Sequence, residues 1–270
     1  MSLCTFFKGI FAKKHVRLGL ALGSGGAKGA AIIGALKAFE EENVTFDLVA
    51  GTSIGSVIGA MLALGFSSDE MLSLIKEYGL TDPVKLFIGR IKGFTLADGL
   101  RMLIGDKGFS DMKIPFAAVA TDLDSGEKAV FRDGDLAVAL ACSCAVAPYF
   151  KPVVKNEVRY VDGSYVDAVP ADVVKDMGAD VVVSINLTGV ASNAIGKSAL
   201  DSLYKGHKIV EQDRLSDMKK YSDFVLSPDL KGYKSTDVGG VDEMYSFGYA
   251  AAKTEMYAVR ELLIKNNVKF

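Results

Sequence analysis

The sequence predicts an α/β fold in which a mostly parallel sheet carries helices on its faces. Three observations lead there. Between residues 16 and 64, apolar runs that read as strands alternate twice with helical periodicity, first across a glycine-rich turn and then across Gly51–Gly55. Residues 180–187 (DVVVSINL) form a largely apolar run of the kind expected for a strand buried on both faces. Half of the 270 residues are apolar against 24% charged, which is ample for a sizeable core and argues against disorder.

The N-terminal stretch MSLCTFFKGIFAKKHVR lacks the apolar core and cleavage site of a signal peptide. Leu3, Phe6, Phe7, Ile10 and Phe11 fall on one helical face, while Lys8, Lys13, Lys14 and Arg17 are basic. The pattern fits a short helix lying in a membrane interface. It fits equally an amphipathic helix docked on the chain's own core or on a second copy. With no internal repeat, low-complexity linker or shift in composition, residues 1–15 read as an amphipathic segment and 16–270 as one domain. No apolar run reaches the roughly 18 to 20 residues that span a bilayer.

Residues 16–22 read as a first strand, running into Gly23-Ser24-Gly25-Gly26-Ala27-Lys28-Gly29. A helix follows through Ile32, Ile33, Ala35, Leu36 and Phe39 until polar residues 40–43 end it. Residues 46–50 are a second strand and 56–64, small and apolar, a buried helix. Residues 67–78 are helical, with Ser67 or Ser68 as cap and Met71, Leu72 and Ile75 on one face. Between 81 and 108 lie an apolar cluster, Leu86-Phe87-Ile88, and a helix at 96–104; the region reads as a lid or as a plain connection. Strands at 116–121 and 128–131 flank Asp122-Leu123-Asp124-Ser125-Gly126, which lacks the ligand register of a calcium loop and reads as a turn. A small-residue helix at 136–144 stops near Pro148, and short strands at 153–154 and 159–161 end at Asp162-Gly163-Ser164. A helix at 171–177, a polar helix at 198–221, a strand at 224–226 and a helix at 243–265 complete the chain.

Composition excludes several functions. A formal net charge of −2 and the absence of a long basic run give no drive toward nucleic acid. Three irregularly spaced cysteines are not a disulfide framework, which points to a reducing, cytoplasmic compartment. Cys142 and Cys144, with only His15 and His207 in the whole chain, do not make a zinc site, and no metal or cofactor is expected.

Gly51-Thr52-Ser53-Ile54-Gly55 is the one G-x-S-x-G of the chain, and it lies between a strand and a helix. A sharp strand-to-helix corner leaves Ser53 exposed at a helix N-terminus, and glycines two residues either side remove β-carbons that would clash. Free N–H groups there favour the negative charge that acyl transfer develops. The same residues would also serve a plain turn.

The glycine loop admits three readings. As a phosphate loop it fails, because Lys28 precedes Gly29 rather than a Gly-Lys-Ser/Thr ending. As a dinucleotide fingerprint it meets Lys28 at the third glycine, although Asp47 lies near the distance of the ribose-binding acid. As an oxyanion hole, it lets the N–H groups of Gly25 and Gly26 converge on one oxygen; one such donor is worth about 3–4 kcal/mol in the transition state.

A serine nucleophile needs a base. His207 follows Ser53 in α/β-hydrolase order but sits in a polar helical stretch, and His15 sits in a basic patch before the first strand. Asp162, at a strand end and followed by Gly163, is the other candidate.

The set of motifs resembles the patatin-like phospholipases. The stretches that carry the resemblance are LGLALGSGGAKGAAIIGALKAFEE, DLVAGTSIGSVIGAMLALG, PFAAVATDLDSGE, ACSCAVAPYFKPV and YVDGSYVDAVPADVVKDMGADVVVSINL. FVLSPDL and GYAAAK match further on. The resemblance implies a three-layer α/β/α sandwich and a Ser–Asp dyad without histidine or metal. Ser53 would be the nucleophile and Asp162 the base, with the oxyanion held by Gly25, Gly26 and Ile54. Lys28, Gly29, Gly51, Gly55 and Gly163 would shape the motifs. Three positions depart from the family pattern: Ser24 stands for the first glycine of G-x-G-x-x-G, Lys28 for an arginine, and Ser164 for glycine or alanine in Asp-Gly-Gly or Asp-Gly-Ala.

The function expected is hydrolysis of fatty-acyl esters of lipids, of phospholipase A or lysophospholipase type, through an acyl-serine. The partners expected are a lipid ester substrate and, through residues 1–15, a membrane surface. Two alternatives stand beside it: an esterase with a Ser53/Asp162/His207 triad, and a non-catalytic lipid- or nucleotide-binding protein that uses the glycine loop.

Overall fold

The computed structural model describes residues 15–78, 95–188 and 215–270, with positions 202, 205, 206, 209 and 210 between the last two stretches. The expected N-terminal helix, the cluster at 86–88, most of the polar helix at 198–221 and His207 lie outside the described residues.

Strand β1 (Leu18–Leu22) leads through the glycine loop into helix α1 (Gly29–Glu41), and β2 (Leu48–Thr52) leads through Ser53 into α2 (Ile54–Leu64). Then come α3 (Ser68–Tyr78), α4 (Leu96–Ile104), β3 (Phe116–Asp122), β4 (Lys128–Phe131) and α5 (Leu136–Cys144). The hairpin β5 (Val153–Lys155) and β6 (Val158–Asp162) is followed by α6 (Ala171–Asp176) and β7 (Val181–Ile185). The chain closes with α7 (Leu215–Tyr221), β8 (Phe224–Leu226) and α8 (Val241–Lys265). Two expected boundaries move inward on Ser53: β2 runs on through Gly51 and Thr52, and α2 begins at Ile54 rather than at 56.

The described strands form one eight-stranded sheet. Pairing runs β5-β6-β3-β2-β1-β7-β8, with β4 also on β3. The contacts of β1, β2, β3, β7 and β8 along that path are parallel, while β4, β5 and β6 pair antiparallel. Side chains of a strand alternate between faces, and here the alternation separates two cores. Leu18, Leu20, Leu22, Val49, Phe116, Val181, Val183 and Ile185 pack with residues of α1–α5 and α8. Ala21, Leu48, Ala50, Ala117, Val119 and Val182 pack with residues of α6 and α7. Helices therefore cover both faces of the sheet. Among the described residues no helix is long and apolar enough to cross a membrane.

Strand β3 organises the site. Its residues Ala118 and Val119 pair with both β2 and β4, and Ala120 and Thr121 pair with both β4 and β6. A strand residue has only two flanks, so β2 and β6 share the flank opposite β4. They run toward each other along it. Thr52, the last residue of β2, stands opposite Val119, and Asp162, the last residue of β6, stands opposite Ala120. Two strand ends thus abut one residue apart on β3, a spacing of roughly 3.3 Å along the strand.

Candidate active site

Ser53 occupies the corner between β2 and α2 with φ 55° and ψ −128°. A non-glycine residue there is strained by about 1–3 kcal/mol and persists only where its surroundings hold it. They hold it on both sides. Its N–H donates to the Ser143 hydroxyl at 2.9 Å, and that hydroxyl donates onward to the Val119 carbonyl at 2.6 Å. Its carbonyl accepts from the N–H of Ser56 at 2.8 Å, the N–H of Val57 at 3.3 Å and the hydroxyl of Ser56 at 2.6 Å. The preceding Thr52 is tied by its own hydroxyl to the Asp167 carbonyl at 2.9 Å. The Ser53 side chain makes no cap bond to its helix.

Close packing explains the flanking glycines. A β-carbon at Gly55 would overlap the carbonyl oxygens of Leu22 and Gly23, and one at Gly51 would overlap the Gly55 carbonyl. The elbow is thereby pressed onto the end of β1, where the glycine loop begins. In that loop Gly23 N–H donates to Ile185, Ser24 N–H to Ala168, Ala27 N–H to Ser235 and Lys28 N–H to Gly25. Among the described residues the N–H groups of Gly25 and Gly26 have no acceptor. Gly26 has φ 57°, a left-handed conformation open to glycine, and the Ser235 carbonyl fills the place of its missing side chain. Ile54 contributes another free-ended N–H as the first residue of α2, since the first N–H groups of a helix lack intrahelical partners. Lys28 is half-buried at the N-terminus of α1.

Asp162 is 1% exposed. A buried carboxylate needs hydrogen bonds to remain ionised, and its Oδ1 accepts two from Ser164, from the N–H at 2.9 Å and the hydroxyl at 2.5 Å. Its backbone is fixed as well: its N–H donates to Ala145 at 3.1 Å and its carbonyl accepts from Thr121 Oγ1 at 2.8 Å. A β-carbon on the next residue, Gly163, would overlap the Val119 carbonyl and lie 3.0 Å from Thr52 Cγ2. The Asp-Gly turn therefore rests directly on the residue before Ser53. Cys144, at the end of α5, shares this corner: burial, with Asp162 adding a like-charge push, raises its thiol well above the usual range. Burial likewise pushes the Cys142 thiol up to about 12. Neither thiol is a nucleophile at neutral pH.

Behind the Asp-Gly turn, Lys128 bridges Asp167 at 2.7 Å and Asp172 at 2.5 Å. Burial pushes the Asp167 carboxyl up to about 7 despite Lys128, while bonds to Lys128 hold Asp172 down. The main-chain N–H of Asp167 donates to the Gly163 carbonyl at 2.8 Å and closes the turn that carries Asp162.

Of the residues singled out in the sequence, Ser53, Asp162, Gly25, Gly26, Ile54, Gly51, Gly55 and Gly163 come together around the ends of β1, β2 and β6. His15 does not. Its Nε2 pairs with Asp47 Oδ1 at 2.8 Å, and the other oxygen of Asp47 accepts from Leu18 N–H at 2.7 Å. Both lie where β1 and β2 begin, the sheet end opposite Ser53, so Asp47 is not placed to read a ribose beside the glycine loop. Asp122 Oδ1 accepts from the N–H groups of Asp124 and Ser125, and Asp124 pairs with Arg159, which makes that acidic stretch a turn. Sequence reading missed Ser143, Ser235 and the Lys128 cluster. The available signal was a serine inside an otherwise apolar helix, whose buried hydroxyl must find partners.

The family model for patatin-like phospholipase matches residues 20–175. Patatin-like phospholipase domain-containing protein 6 of Mus musculus is 29% identical over 87% of the chain. An uncharacterized NTE family protein of Mycobacterium bovis is 32% identical over 64% of the chain and 49% of its own length. The chain spans about a fifth of the mouse relative. Among solved structures, VipD from Legionella pneumophila superimposes with a TM-score of 0.54 at 13% identity, covering 90% of this chain and 67% of that one. Human GIVD cytosolic phospholipase A2, solved with a methyl γ-linolenyl fluorophosphonate inhibitor, gives 0.50 at 13% identity, covering 93% and 59%. These two likenesses speak for the fold: a central sheet with helices on both faces. With more than half of the sequence matched by the family model and the elbow, glycine loop and Asp-Gly turn assembled at one sheet end, the chain belongs to the patatin-like phospholipase family.

Proposed function

We propose that this chain is a lipid acyl hydrolase working through a Ser53–Asp162 dyad. The observation that carries the reading is the convergence of β2 and β6 on consecutive residues of β3, which faces the end of one strand with the end of the other. In the reaction, Asp162 takes the proton of the Ser53 hydroxyl as Oγ bonds to the ester carbonyl carbon. The N–H groups of Gly25, Gly26 and Ile54 hold the oxyanion. Collapse breaks the ester bond, and the departing alcohol receives the proton from Asp162. Water then attacks the acyl-serine, Asp162 takes one of its protons, and the fatty acid leaves as Ser53 is reprotonated. The family and the names of the relatives support phospholipids as the substrate class. Residues 16–270 form the catalytic domain in this reading, and residues 1–15 contact the surface of the lipid aggregate.

Hydrolysis of diacyl and monoacyl glycerophospholipid vesicles tests it. Ser53→Ala and Asp162→Asn are expected to lose turnover at least a thousandfold with unfolding curves unchanged, and His207→Ala to keep it. Residual hydrolysis in Ser53→Ala, or its loss in His207→Ala, would replace the dyad by another mechanism.

A further inference from the structure

The third residue of the Asp-Gly motif is where this chain departs from the glycine or alanine of the family pattern, and its hydroxyl lies on the carboxylate. Any residue but proline at 164 would offer the backbone N–H that reaches Asp162 Oδ1 at 2.9 Å. Only a hydroxyl residue adds the second bond, at 2.5 Å, to the same oxygen. Both side chains are buried, Asp162 to 1% and Ser164 to 2% exposure. Resting on the dyad reading above, we propose that Ser164 is a positioning residue that pins Oδ1 of Asp162, presents Oδ2 to Ser53, and tempers how strongly the carboxylate draws the serine proton.

A hydrogen bond to an ionised group in a dry site favours the charged form, so the Ser164 hydroxyl stabilises the carboxylate and weakens it as a base. A glycine or alanine at 164 leaves the base stronger and less firmly oriented. The groups facing Asp162 keep the effect readable. From α5 it meets Cys144, which burial keeps a neutral thiol. On its own turn it meets Tyr165, whose phenol burial and the Asp162 charge both hold neutral. From β2 the neighbours are Thr52 and Ser53, which do not titrate. On β3, Asp122 is occupied by its own turn, and on β4, Lys128 is occupied by Asp167 and Asp172. Asp167, on the same turn, has its carboxyl pushed up to about 7 by burial and titrates within the pH range of the assay. The profiles are therefore taken in an Asp167→Asn background as well, and a limb that Ser164 variants still move there reports protonation of Asp162.

The experiment is kcat/KM against pH from 3.5 to 8.5 for the full chain, with a short-chain 4-nitrophenyl ester read after alkaline quench. Ser164→Ala and Ser164→Gly are compared with the parent and with Ser53→Ala. Removing the hydroxyl raises the proton affinity of Asp162, so the acid limb of both variants is expected about one pH unit above that of the parent. A profile that drops uniformly without moving would assign Ser164 a packing role only. A limb at or below the parent's position in both variants overturns the proposal equally. If one variant fails to fold, the other decides, since glycine and alanine both fit the family pattern here. The Ser53→Ala arm separates the two levels: ester hydrolysis surviving there ends the dyad reading and this inference with it. An inert Ser53→Ala beside an unmoved limb ends the inference alone.

Discussion

Replacing Ser143 by alanine probes how the strained elbow is held. Ser143 is fully buried, and its hydroxyl both accepts from Ser53 N–H at 2.9 Å and donates to Val119 at 2.6 Å. Alanine leaves the Ser53 N–H without its acceptor, at about 1–3 kcal/mol, and removes one further buried bond of about 1 kcal/mol. A loss of roughly 2–4 kcal/mol corresponds to about 4–7 °C in Tm for a chain of this size. The same bond opposes relaxation of Ser53 out of its left-handed conformation, so acylation is expected to slow by at least about tenfold, a change worth about 1.4 kcal/mol. Ser56→Ala is the matched control. It removes a 2.6 Å bond to the Ser53 carbonyl and a long contact of 4.0 Å to the Cys144 thiol, but that carbonyl keeps two backbone donors and the Ser53 N–H keeps its acceptor. Thermal unfolding, together with the rate of labelling by a fluorophosphonate, reads both effects. Should Ser143→Ala label and melt like Ser56→Ala, the hydroxyl is not what holds the elbow.

Two further predictions follow from strain and charge. Ser53→Gly and Ser53→Ala are both expected to be inert, but glycine accepts φ 55° without penalty, so Ser53→Gly should be the more stable by about 1 kcal/mol or more in urea unfolding; the reverse order would mean that the corner is unstrained. Asp167 has a folded-state carboxyl pushed up to about 7 by burial, above its unfolded value, so its ionisation erodes stability as pH rises from about 4 to 7. Asp167→Asn escapes that penalty, and its stability relative to the parent should climb across this window and level off above it; a difference that stays flat or falls with pH would contradict the assignment.

The sequence carried the fold because each element had its own periodic signal. The alternation of Leu18, Leu20 and Leu22 with small residues, and the apolar run at 181–185, specify strands buried on both faces. The elbow was legible because only glycine fits where the Gly51 and Gly55 backbones touch their neighbours. What could not be read were contacts set by register between distant segments. Nothing near Ser143 or Lys128 in sequence announces that one reaches Ser53, 90 residues away, or that the other joins Asp167, 39 residues away. The abutting of β2 and β6 on one flank of β3 is of the same kind. It depends on β4 occupying the other flank, a pairing that hydrophobic patterning does not encode.

The central claim is that Ser53 is an activated nucleophile and Asp162 its base. Fluorophosphonate labelling followed by peptide mass spectrometry tests it most directly, on the parent chain and on Asp162→Asn. The account predicts a single adduct on the peptide containing Ser53, and its disappearance in Asp162→Asn while the unfolding curve is unchanged. An adduct on another residue, or a Ser53 adduct that forms as fast without the Asp162 carboxylate, would contradict it.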